Sequence, residues 1–135
     1  MADRHFTVDE ANGLLPSVRP LVEEMVEHRR VLGEALEQRE ELGELTHGNG
    51  GGFHPRVPGE IDAVVETAAE GIRSAVEELT DLGVQVKDLD TGLIDFPALR
   101  QGEEVLLCWQ LGEDEIGFWH TLEGGFAGRR SLPLE

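Results

Sequence analysis

The spacing of apolar side chains changes once along the chain, and that change confines the fold. Up to residue 82 apolar residues recur every third or fourth position; from residue 84 they alternate with other residues. The first spacing belongs to helices that bury one stripe, the second to strands that bury one face. The sequence therefore predicts an α+β protein: a long antiparallel two-helix hairpin, coiled-coil-like, followed by an antiparallel sheet. At 135 residues the chain has the size of a single domain, 1–135.

Residues 7–45 read as the first helix. Thr7 and Glu10 form a capping box, which gives two first-turn N–H groups their partners. The stripe is Ala11, Leu15, Val18, Val22, Met25, Leu32 and Leu36. Pro16 and Pro20 each remove a helical hydrogen bond, so a kink or break is expected near residues 15–18, with Ser17 as a second N-cap. Residues 46–59, THGNGGGFHPRVPG, read as a glycine-rich loop. The run follows a helix, not a strand, and so lacks the context of a phosphate-binding loop. Residues 60–82 read as the second helix, with Ile61, Val65, Ala68, Ile72, Ala75, Leu79 and Leu82 at spacings of four and three. At about 1.5 Å per residue the first helix outreaches the second by several turns. Gly83 suits the end of the second helix, so whatever follows should pack on the projecting N-terminal part of the first.

Residues 84–122 read as a four-stranded antiparallel meander: Val84–Leu89, Leu93–Arg100, Glu103–Leu111 and Ile116–Leu122, joined by short turns. Residues 123–135 form a tail without a period. The expected register gives one apolar face of Val84, Val86, Ile94, Phe96, Ala98, Val105, Leu107, Trp109, Leu111, Ile116 and Phe118, with Trp109 and Phe118 as a cross-strand pair. That face should cover the first helix.

Candidate chemistry falls in two places. His120 is expected at the rim of the apolar face, where His5 and Glu10 could join it as ligands for a divalent metal. On the reverse face Lys87, Asp95, Cys108 and Trp119 are expected in one transverse row, a binding patch with Lys87 and Asp95 as an ion pair. Cys108 beside a carboxylate resists ionising and is a poor nucleophile. Asp88-Leu-Asp90-Thr-Gly92 departs from the calcium-loop pattern and reads as a hairpin turn; Glu113-Asp114-Glu115 reads as a solvated acidic loop. No catalytic constellation is evident, and no cofactor is expected beyond the metal.

Charge and composition bound the partners. Eleven basic against 28 acidic residues give a net charge of −17. Nucleic-acid binding rests on basic groups that displace counterions, so it is disfavoured, as is an anionic membrane surface. No apolar run reaches the roughly 18 residues of a membrane span. One cysteine, no disulfide and no signal-peptide pattern lead to the expectation of a cytoplasmic protein. A mixed apolar and polar sheet face calls for a cover, either the tail or a second subunit. The expectation is a homodimer acting as an interaction or scaffold module, with a small metal-binding protein as the other reading.

The segments RHFTVDEANGLLPSVRPL, GVQVKDLDTGLIDFPA, VLLCWQLGEDEIGFWH and GGFAGRR together resemble an uncharacterised prokaryotic family, domain of unknown function 2203. The resemblance extends over about residues 4 to 132. It implies no activity and carries over no catalytic residue.

Overall fold

The structure, a computed structural model, describes residues 2–47 and 58–134. Helix α1 spans Val8–His47 and α2 spans Pro58–Asp81. They are followed by strands β1 (Gln85–Asp88), β2 (Leu93–Arg100), β3 (Glu103–Gln110) and β4 (Phe118–Thr121). A 3-10 turn (Phe126–Gly128) and a short β5 (Arg130–Ser131) complete the chain. Most of the glycine-rich segment lies outside the described residues, as does the end of the tail. No described helix is long and apolar enough to cross a membrane.

The two helices form an antiparallel hairpin. Arg39 of α1 pairs with Asp62 near the start of α2 at 2.9 Å, while His28 lies against Gly71 further along α2. The capping box forms as expected: Thr7 Oγ1 accepts from the Glu10 N–H, and Glu10 accepts from the Thr7 N–H. The Thr7 N–H, which donates to the carboxylate, does most to hold the Glu10 carboxyl below its usual pKa, with the nearby Thr7 hydroxyl adding to it. The helix runs unbroken through Pro16 and Pro20, so of the expected kink or break, the break with a second cap at Ser17 is absent. Each proline costs one donor, but packing of this segment over the sheet holds the helix together through both.

The α1 stripe is buried through Ala11, Leu15, Val18, Val22 and Met25. Beyond Met25 it departs from expectation: Ala35 is buried in the place expected of its neighbour Leu36, which is 41% exposed. On α2, Ile61, Ala68, Ala75 and Leu79 are buried. Gly83, at φ +93°, ends α2, with Val84 N–H closing back onto the Leu79 carbonyl.

The sheet is a continuous antiparallel meander in the order β1-β2-β3-β4-β5. Its fifth strand, in the tail, was not expected. Ile94, Phe96, Ala98, Val105, Leu107, Trp109 and Trp119 form one core with Ala11 to Met25 of α1 and with Ala75 and Leu79 of α2. The meander therefore packs on the projecting part of α1, as the helix lengths required. The β1–β2 turn lies flat on α1 at Gly92, where a Cβ would sit 2.8 Å from a Val22 methyl.

The β3–β4 connection decides the register of the last strand. Sequence spacing predicts a four-residue turn with β4 starting at Ile116; the loop instead holds seven residues, 111–117. Asn12 and Arg19 of α1 pin it. The Asn12 side-chain carbonyl accepts from Ile116 N–H at 2.8 Å, and Arg19 donates to the Asp114 carbonyl at 2.9 Å. Trp109 Nε1 donates to the Glu113 carbonyl at 3.0 Å, closing the loop from the core side. The pairing is Cys108↔Phe118, Leu107↔Trp119 and Leu106↔His120, one residue away from the expected register. A one-residue slip turns every side chain of a strand over. Trp119 therefore enters the core, while Phe118 and His120 move to the reverse face. Trp109 and Phe118 face opposite ways and make no pair; Trp109 lies opposite Ile94.

Candidate functional site: a buried Asp–Cys–His cluster

Two rows of the reverse face build the site. Gln85, Asp95, Cys108 and Phe118 form one; Pro97, Leu106 and His120 form the next. Asp95 on β2 and His120 on β4 reach toward each other across β3, which contributes Cys108. Asp95 is 1% exposed, Cys108 0% and His120 4%. Their ligand atoms, a carboxylate oxygen, a thiol sulfur and an imidazole nitrogen, all lie within 4.8 Å of one another.

Hydrogen bonding places the protons. His120 Nδ1 is 2.8 Å from the Thr121 carbonyl, which can only accept, so Nδ1 carries a hydrogen. His120 Nε2 is 3.1 and 3.2 Å from the two Asp95 oxygens. One proton lies in that contact, on Nε2 or on the carboxyl, and either position leaves the pair neutral. Burial raises the Asp95 pKa, opposed by His120 and, more weakly, by Lys87 and the Cys108 thiol. Burial, reinforced by the Asp95 charge, pushes the Cys108 thiol up to about 12. Cys108 is thus a protonated thiol, as its place beside Asp95 led one to expect, and the arrangement is unsuited to nucleophilic chemistry.

Of the expected patch, Lys87, Asp95 and Cys108 are together. Lys87 is not directly opposite Asp95, a place taken by Gln85. It sits where the β1–β2 pairing shifts between Val86 and Asp88, with Nζ 3.9 Å from Asp95 Oδ2. Trp119 is on the other face, 3% exposed in the core, with Arg100 and Arg130 guanidinium groups 5.1 and 5.3 Å from its ring. Phe118 has its place in the row. Arg129 from the tail lies 3.8 Å over the Phe118 ring and bonds both Glu113 oxygens, so the tail supplies part of the cover.

His5, Glu10 and His120 are not brought together as ligands. His5 Nε2 is 2.9 Å from Glu104 Oε1, and Glu10 is engaged in the capping box. The residues with metal-capable donor atoms that the structure groups with His120 are Asp95 and Cys108. The spacing of Asp95 and Cys108 was legible because the two-residue turn Gln101-Gly102 sets the β2–β3 register. His120 was misplaced because Phe118-Trp119-His120 has no clean alternation, and Ile116 is buried as a loop residue.

No curated protein and no solved structure matches the chain. A family model does, over residues 4–132, and its description is uncharacterized conserved protein (DUF2203). With nearly its whole length inside that match, the chain belongs to the DUF2203 family.

Proposed function

We propose that this protein binds a divalent transition metal ion, of the zinc type, through Asp95, Cys108 and His120. The observation that carries the reading is the convergence of three different donor atoms within 4.8 Å. Ligands of a tetrahedral zinc ion, at bonds of about 2.0–2.3 Å, stand about 3.3–3.8 Å apart. The Asp95–His120 separation is already close to that. The Thr121 carbonyl holds His120 Nδ1–H and aims Nε2 at the cluster, the outer support that metal-ligating histidines commonly have. A set of nitrogen, sulfur and oxygen donors suits zinc-like ions, whereas calcium and magnesium take oxygen sets. Binding would ionise the thiol and displace the proton shared by Asp95 and His120, so it releases two protons and tightens as pH rises. A cytoplasmic setting agrees with this reading, since a reducing compartment keeps the lone Cys108 available.

The test is Zn2+ titration of the metal-free protein against a chromophoric chelator. One ion per chain is expected, with binding lost in Cys108→Ser and His120→Ala and retained in His5→Ala. Uptake that ignores Cys108→Ser overturns the reading.

A second reading is self-association as a homodimer through the helical arm beyond the sheet. A groove there, lined by His28, Val31, Ala63, Val64, Thr67 and Ala68, and the exposed Leu36 favour it. Light scattering tests it: a dimer converted to monomer by Val64→Glu supports this reading, and a monomeric parent protein removes it.

A further inference from the structure

Two cations lie near the cluster, and their commitments differ. The Arg129 guanidinium holds both oxygens of Glu113 at 3.1 Å and stacks on Phe118, so its charge is balanced away from Asp95. Lys87 has Asp95 itself as its ion-pair partner, Nζ to Oδ2 at 3.9 Å. It is the only lysine of the chain. The shift in pairing between Val86 and Asp88 locates it; such irregularities re-aim side chains and gather near functional sites. The Lys87 side chain is 41% exposed while Asp95 is 1% exposed, so the ammonium stands between solvent and the buried carboxylate.

We infer that Lys87 is a tethered competitor of the metal for Asp95, which keeps the ion exchangeable instead of permanently held. This rests on the metal-binding reading of the cluster. An ion on the Asp95 carboxylate would face an ammonium only a few ångströms away. The repulsion of a dication and a monocation at about 5 Å is worth about tenfold in affinity even with water-like screening. Uptake of the metal therefore displaces Lys87 toward solvent, a motion its exposure permits. A site built only to staple the sheet would gain by having a neutral residue there.

The experiment compares Zn2+ affinity and release rate, measured by chelator competition and by chelator-triggered release, in the parent protein, Lys87→Gln and Lys87→Arg. Circular dichroism confirms the fold of each. The expected result is about tenfold tighter binding and slower release for Lys87→Gln, with Lys87→Arg close to the parent. Equal affinities in the parent and Lys87→Gln overturn the inference and leave the metal site standing. No uptake of Zn2+ by either protein overturns the metal-binding reading itself. Co2+ gives a second readout: the thiolate absorption of bound Co2+ should appear at lower metal concentration in Lys87→Gln.

Discussion

The two faces of the sheet are both buried around β3, but for different reasons. On the inner face Ile94, Phe96, Leu107 and Trp109 are fully buried in the core shared with α1 and α2, and their burial needs no partner atoms of a particular kind. On the reverse face Asp95 and Cys108 are as deeply covered, yet the polar groups there are stable only because they satisfy one another. The first face contributes stability in proportion to area. The second contributes little net energy and a strong condition on geometry: β4 must lie where His120 meets Asp95. The comparison teaches that burial alone does not mark a core; what each buried group would lose by moving does.

The largest expected effect tests the apolar side. Trp109→Ala should lose about 3–5 kcal/mol of unfolding free energy in denaturant melts. A loss under about 1 kcal/mol would show that α1 and the sheet are not one packed unit.

Next is the polar side. Asp95→Ala leaves His120 facing an empty site and should cost about 3 kcal/mol. The double change Asp95→Leu with His120→Leu should recover most of that loss, because an apolar pair needs no partner. If the double variant is as unstable as the single one, the pair stabilises the fold outright and does more than set its register. Spectra of the amide groups should then show whether β4 still pairs Leu106 with residue 120.

A smaller effect concerns the thiol. With a pKa near 12 and no exposed surface, Cys108 should be inert to a thiol reagent at about pH 8, where roughly one thiol in ten thousand is ionised. Reaction should follow only as the protein unfolds. Fast labelling of the native protein would place Cys108 at an open surface, and the two faces would no longer be comparable.

The smallest effect lies at the start of α1, which anchors the inner face. Glu10 has a lowered pKa in the folded state, so its charge adds stability above the ordinary value of 4.5, and that contribution is lost as pH falls through the folded value. Glu10→Gln keeps a capping side chain and removes the charge. Thermal melts should show the variant slightly less stable at neutral pH, with the gap closing in acid. A gap that is constant with pH would assign the effect to packing.

Much of the architecture was legible because short-range rules set it. The stripe from Ala11 to Met25, the capping box at Thr7 and Glu10, and the left-handed glycine at residue 83 are all local. The Gln101-Gly102 turn likewise put Asp95 across from Cys108. The candidate site was half legible for the same reason. Its third member was not, because the position of His120 depends on how many residues the β3–β4 loop consumes. Asn12 and Arg19, about a hundred residues earlier in the chain, hold that loop.

The sequence by itself determined two helices, a meander and which face of β2 and β3 turns inward, since each follows from periodicity and adjacent turns. Only the tertiary structure decided that Trp119 goes in and His120 goes out. A strand's side chains turn over with a single residue of slip, and that residue was set by contacts between α1 and a loop that no local pattern encodes.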